Sequence, residues 1–313
     1  KRQSRKEIFE LLSEFSPDSK PKKLHNHAAQ LWSFTKEMKP GDWIVVPSKL
    51  RSAIHVAEIT GPYVFDGAGE DPYFHHRTIK WVAKDIPRSN FGQDLLHSLG
   101  ASQTICEIQR NDAERRIQAL ARTGKDGTPS LKPSTQPPSL VNDCPQVSDA
   151  DGVDLEQLGR DQIAKEIIKQ FKGHGLARLV DAILKAQGYS THVSPPGPDK
   201  GVDILAASGP LGFGTPRICV QVKSGDDPVD SPTLRQLVGT MQNVQADQGL
   251  LVAWGGFKNS VDRERPTQFF KVRLWNQDDL IEELLLHYEK LSEEIRAELP
   301  LKRIWTIALQ EEE

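Results

Sequence analysis

The sequence predicts a two-part chain: an α/β C-terminal domain with a mixed sheet flanked by helices, preceded by a small N-terminal β-barrel with helices. Three observations predict it. Residues 201–206 and 217–223 alternate with period two, the strand signature, and amphipathic stripes of helical period lie on both sides of them. Residues 42–108 break into short β-branched and aromatic runs punctuated by Gly and Pro. Between the two parts, residues 124–152 are rich in Pro, Ser and Gly, as expected of a linker.

Composition narrows the class. The chain has 313 residues, enough for two domains, and a formal charge of −3, so any nucleic-acid contact must come from local patches. Residues 1–119 are mildly basic and the remainder mildly acidic. Three scattered cysteines with no CxxC spacing give neither a disulfide framework nor a zinc site. There is no signal-like n-region and h-region and no apolar run near eighteen residues, so the expectation is a cytoplasmic protein without a membrane partner.

In order, residues 1–23 read as a short helix and a linker, with Lys20, Lys22 and Lys23 either touching phosphate or simply solvated. Residues 24–122 form the expected barrel domain. A helix over 28–38 stops at Pro40-Gly41, and strands follow at 42–47, 53–59, 61–65, 77–82 and 104–108. A helix over 111–123 closes the unit, and residues 123–157 are the linker. The second domain, 158–313, opens with Ile163, Ile167 and Phe171 at four-residue spacing. Leu176, Leu179, Val180, Ile183 and Leu184 then form the stripe of a core-facing helix. A short strand over 189–193 and a Pro-rich turn lead to the two alternating strands. Ser231-Pro232 reads as the start of another helix. Strands at 249–254 and 271–275, a helix from Asp278 to about Leu291, and a last strand or packed segment over 301–309 complete the pattern.

The two alternating strands bear the chemistry. Ile218, Val220 and Val222 point one way, and Cys219, Gln221 and Lys223 the other. If the strands pair, Asp203 meets Gln221 and Lys223 over one small area. A carboxylate and an amide oxygen suit a hard divalent cation, and an ammonium holds a water or a phosphate. The plainer alternative is a solvent-facing sheet side with Asp203 at a strand end.

Two resemblances sharpen this reading. The stretch Lys39-Pro40-Gly41-Asp42 through Pro47-Ser48-Lys49, with Gly61-Pro62-Tyr63, His76-Arg77 and Trp81, resembles PUA/EVE-type barrels. Such barrels hold a flipped base or a small nucleotide in an aromatic cage. The resemblance implies Trp43, Tyr63, Tyr73 and Trp81 as aromatic candidates, with Lys49, Arg51, His75, His76 and Arg77 as polar partners. The same aromatics would otherwise fill a small core.

The second resemblance covers roughly residues 160–285. Gly197-Pro198-Asp199-Lys200-Gly201-Val202-Asp203-Ile204, Ile218-Cys219-Val220-Gln221-Val222-Lys223, Leu234-Arg235-Gln236-Leu237-Val238-Gly239 and Gly255-Gly256-Phe257 resemble the Mrr-type restriction endonuclease catalytic domain of the PD-(D/E)xK nuclease superfamily. It implies Asp203, Gln221 and Lys223 as catalytic residues. Asp203, the Gln221 oxygen and the Val222 backbone carbonyl would hold Mg²⁺, with Mn²⁺ able to substitute. Lys223 would orient the attacking water or stabilise transition-state charge. Two departures stand out. Ala177, with Arg178 next to it, occupies a helix position that is often acidic in the family, and Lys200 stands where Gly is frequent. Lys200 either touches the DNA backbone or is a solvated turn residue. Gln236 and Gln242 are either near the scissile phosphate or ordinary surface residues.

The expected function is therefore a metal-dependent DNA endonuclease of restriction or defence type. It would act on double-stranded DNA, with the barrel reading a feature such as a modified base, and work as a homodimer or higher oligomer. The alternatives are a nucleotide-gated effector nuclease, an inactive DNA-binding protein on a nuclease fold, and, more remotely, a junction resolvase.

Overall fold

The computed structural model describes residues 4–48, 52–70, 72–99, 104–109, 111–123, 154–195 and 201–305. Lys49, Arg51, Lys200, most of the linker and residues 306–309 of the expected last strand fall outside them. The chain divides into two compact units, residues 1–158 and 159–312.

In the first unit, α1 (Arg5–Phe15) and α2 (Pro21–Trp32) form a helical hairpin, and a π-helical turn (Ser33–Glu37) continues α2. Then come β1 (Trp43–Pro47), β2 (Ala53–Phe65), β3 (His75–Pro87), α3 (Gln93–Leu99) and α4 (Ala113–Thr123). The strands pair antiparallel in the order β1-β2-β3. Among the described residues this is a three-stranded meander, where the sequence suggested a barrel. Two of the expected strands, 53–59 and 61–65, are a single strand with register shifts, so Gly61-Pro62 is an irregularity and not a turn. Residues 104–108 form no strand. Ile108 instead packs against a core built from Ile54, Val56, Ile86, Phe91, Leu95, Leu96, Ile117 and Leu120. Burial satisfies its apolar side chain without a ladder.

In the second unit, α5 (Leu155–Phe171) and α6 (His174–Ala186) precede β4 (Ser190–Val193), β5 (Ile204–Ala207) and β6 (Arg217–Lys223). The helix α7 (Ser231–Asn243) leads to β7 (Gln248–Ala253), α8 (Asn259–Gln268), β8 (Val272–Trp275), α9 (Gln277–His287) and α10 (Glu293–Glu298). The sheet runs β4-β5-β6-β7-β8, antiparallel from β4 to β6 and parallel from β6 to β8. It is the mixed sheet that the sequence predicts.

Alternation along β6 divides the core in two. Val220 enters a cluster with Ile167, Phe171, Leu179, Ile183 and Leu284, from α5, α6 and α9. Cys219 enters the opposite cluster with Leu234, Leu237, Met241 and Val261, from α7 and α8. Helices thus cover both faces. Asp230 caps α7, its side chain accepting the Thr233 N–H, so the cap lies one residue before the expected Ser231. The helix α8 has no counterpart in the sequence reading, because only Val261 of its ten residues is buried and Pro266 lies within it. Residues 301–305 form no strand. Leu301 packs on the core, and its N–H donates to the Tyr288 hydroxyl at 2.8 Å.

Candidate active site

The mixed sheet sets the geometry of Asp203, Gln221, Val222 and Lys223. In the β5–β6 register Ile204 faces Val220, so Asp203, one residue before β5, comes opposite Gln221. Its N–H donates to the Val220 carbonyl at 3.0 Å. Its carboxylate oxygen Oδ2 accepts the Val222 N–H at 2.7 Å. The side chain therefore continues the ladder where the β5 backbone has turned away.

Backbone alternation places the next oxygen. The N–H and C=O of one strand residue point to the same side. The Val222 carbonyl therefore lies on the β5 side with its N–H, next to Asp203. The Lys223 carbonyl points the other way and accepts the Trp254 N–H at 2.8 Å.

Gln221 is only 1% exposed, and its Oε1 is buried without a hydrogen-bond partner. An orphaned amide oxygen costs about 1–3 kcal/mol unless something positive meets it. Its Nε2 lies 3.3 Å from the point where a Cβ on Gly201 would stand. Gln236 Nε2 and Thr240 Oγ1 of α7 reach the same point at 3.4 and 3.8 Å. Gly201 has φ +84, a backbone that favours glycine, and a Cβ there would crowd the ends of these side chains. Lys223, at the end of β6, is exposed and makes no ion pair among the described residues.

The donors here are a carboxylate, a neutral amide oxygen and a backbone carbonyl, all hard oxygens. They fit Mg²⁺ or Mn²⁺ better than a softer metal. No cluster of three His, Cys, Asp or Glu occurs among the described residues. Cys219, two residues before Gln221, has its thiol pushed up to about 11, by burial first and by the Asp203 charge second.

Ala177 is buried in the core, and Arg178 is ion-paired with Glu298 and stacked over Phe171 at 5.2 Å. Behind the sequence motif, Gly255 is explained by close approach and Gly256 by its backbone, with φ +76. A Cβ on Gly255 would stand 2.4 Å from the Asp226 carbonyl oxygen, so this residue lets the loop after β6 fold back against β7. That contact fixes the exit of the strand that ends in Lys223.

In the first unit the four expected aromatics lie in four separate places. Trp43 is partly buried and packs against the core. Tyr63 and His75 stack at 6.0 Å, and the Tyr63 hydroxyl is 2.7 Å from His75 Nδ1. Phe65 lies 5.2 Å from the same imidazole. Phe34 meets Tyr63 edge-on, and Arg77 Nε donates to the Phe34 carbonyl at 2.7 Å. Trp81 forms a separate station, 41% exposed, with Lys84 Nζ 5.0 Å over its ring and His55 at its edge. Tyr73 is exposed and outside both. Phe34, Phe65, His55 and Lys84 escaped the sequence reading. The strand register reveals Phe65, which pairs directly with His75.

Residues 168–284 match the family model described as "Restriction endonuclease", and residues 1–108 match one described as "Domain of unknown function (DUF8426)". The second match gives the PUA/EVE resemblance no support. Among solved structures, the chain is similar to the DNA modification-dependent restriction endonuclease AspBHI, at 13% identity and TM-score 0.37, over 88% of this chain and 72% of that one. It is also similar to the MspJI restriction endonuclease in complex with a 27-mer oligonucleotide, at 13% identity and TM-score 0.30, over 82% of this chain and 62% of that one. No curated protein matches significantly. The C-terminal α/β unit is thus of the restriction-endonuclease type. No helix among the described residues is long and apolar enough to cross a membrane.

Proposed function

We propose that the chain is a metal-dependent DNA endonuclease whose C-terminal unit hydrolyses a phosphodiester, and whose N-terminal unit reads a feature of the DNA such as a modified base. The observation behind this reading is the meeting of Asp203 with the Val222 backbone beside the orphaned Gln221 oxygen, at the end of the strand that presents Lys223. The family match over 168–284 supports the reaction class.

Asp203, Gln221 Oε1 and the Val222 carbonyl would hold Mg²⁺ or Mn²⁺. When bound, the ion supplies a Lewis acid for the phosphate and lowers the pKa of a coordinated water. The chain's own residues do the rest. The Val222 N–H holds the Asp203 carboxylate in one orientation. The exposed ammonium of Lys223 fixes the attacking water and offsets charge growing on the phosphate oxygens. Water attacks phosphorus, the P–O3′ bond breaks, and the products are a 5′-phosphate and a 3′-hydroxyl. Cutting both strands calls for two such sites, hence for two copies on the DNA.

For recognition, the Tyr63–His75–Phe65 group offers ring faces and Arg77 a cation, a combination suited to stacking a base, and Trp81 with Lys84 offers a second such station. A small nucleotide that switches the nuclease on would use the same group. The test is cleavage of methylated and unmethylated plasmid, with and without Mg²⁺, beside Lys223→Ala. Mg²⁺-dependent cutting that disappears in Lys223→Ala is expected, and wild-type protein that never nicks either plasmid would refute the reading.

One observation favours a second reading, an inactive DNA-binding protein. The Ala177 position brings no carboxylate to the site, and Arg178 is occupied by Glu298. DNA binding without nicking at any Mg²⁺ or Mn²⁺ concentration is its signature.

A further inference from the structure

We propose that Thr240 and Gln236, one turn apart on α7, are positioning residues that fix the Gln221 amide with its nitrogen toward the helix and its oxygen free for the metal. The inference rests on the nuclease reading and deepens it. A glutamine is an ambiguous ligand, because its amide turns over with little change of shape and then presents N–H groups to a cation. A carboxylate in the same place has no such ambiguity. A protein that uses glutamine here needs something that tells the two ends apart.

The surroundings of Gly201 supply it. Gln221 Nε2, Gln236 Nε2 and Thr240 Oγ1 converge on the space that a Gly201 side chain would take. Thr240 is 7% exposed, and its hydroxyl oxygen, unlike an amide nitrogen, can accept a hydrogen bond. The Gln221 amide N–H₂, which faces the same space, is the donor at hand. Turned over about its last side-chain bond, the Gln236 amide would present its own oxygen there as a second acceptor in place of the nitrogen. With the nitrogen held on the α7 side, the buried Oε1 without a partner is the end left for a cation. Gly201 is part of the device, since any side chain there would separate the three groups. Partners that orient a ligand typically change metal affinity by about 10–100-fold when removed.

The test uses the full chain and Mn²⁺, with binding followed by water-proton relaxation, which needs no catalysis. Thr240→Val keeps the shape and removes the acceptor, and Gln236→Ala removes an exposed side chain that the fold does not need. Each is expected to weaken Mn²⁺ binding about 10-fold or more. Thr240→Ser should restore it, and the lost cleavage rate should return at high metal. Mn²⁺ affinity within about twofold of wild type in both variants overturns the inference. Asp203→Asn separates this from failure of the parent reading. If Asp203→Asn loses Mn²⁺ while the α7 variants do not, only the positioning role falls. If Asp203→Asn binds Mn²⁺ as wild type does, the metal site itself falls.

Discussion

Asp203 accepts the Val222 N–H at 2.7 Å, so one carboxylate both completes the sheet and faces the proposed metal position. Asp203→Asn keeps the size of the side chain and removes its charge. It is expected to abolish metal-dependent nicking while leaving the fold nearly intact. Lys223→Met, on an exposed residue, should lower single-turnover cleavage by about 10²–10⁴-fold with little change in melting temperature. Cleavage that survives either change would remove these residues from the reaction.

Replacing Gln221 by Glu tests the neutral ligand. With metal, a second carboxylate should tighten Mn²⁺ binding by about 10-fold or more. Without metal, burial and the Asp203 charge hold the new carboxyl above the usual range. Its neutral form is then favoured in the folded state, so stability is present at low pH and lost as pH rises. The variant should melt close to wild type near pH 5 and fall progressively behind toward pH 8, by about 1–3 kcal/mol, and metal should reverse the loss.

How much of this was legible in the sequence depends on what each residue's environment repeats. The alternation of residues 217–223 was enough to place Cys219 and Gln221 on one face and Val220 on the other, because a central strand is buried on both sides and period two survives. The same logic failed at Ile108 and at Leu301, where burial comes from packing without a ladder. It also failed at α8, which buries only Val261 and so leaves no stripe to read. Trp43 could not be told from a ligand-stacking aromatic, since core and cage demand the same ring. Thr240 was missed although it follows Gln236 at helical spacing. Its significance lies in Gly201, 39 residues away in sequence, and only folding brings them together.

In the first unit, Arg116 is 4% exposed and pairs through both terminal nitrogens with Asp94, joining α4 to α3. The Arg116 hydrogen bonds hold the Asp94 carboxyl below its ordinary value of 3.8. A depressed carboxylate adds stability above its unfolded pKa and loses it as pH falls through the folded one, so the unit should weaken only below about pH 4. Asp94→Asn leaves the buried guanidinium without its counter-charge. It is expected to destabilise the unit by about 2–3 kcal/mol at pH 7, less than a fully buried pair because Asp94 is half exposed. The acid-sensitive part of the pH–stability curve should flatten with it.

Gly255 answers to sterics alone. A Cβ there would stand 2.4 Å from the Asp226 carbonyl oxygen and 2.7 Å from that of Asp227, both backbone atoms that cannot swing aside. Gly255→Ala should therefore shift the loop that follows Lys223, lowering stability by about 1–3 kcal/mol and cleavage with it. Gly225→Ala, where a Cβ meets nothing within 4 Å, is the matched control and should melt as wild type.

The Cys219 thiol reports on the Asp203 charge without touching the reaction. Burial and that charge together push it to about 11, so it stays protonated and unreactive at neutral pH. In a chain with Cys106→Ser and Cys144→Ser, leaving Cys219 alone, a thiol reagent at pH 8 should react only on unfolding. Adding Asp203→Asn removes the repelling charge but not the burial. Because burial is the larger cause, the thiol should titrate lower yet remain protected in the native state. Rapid labelling of Cys219 in either folded protein would mean that the floor of the site is open to solvent, and that Gln221, two residues along the same face, is not enclosed as described.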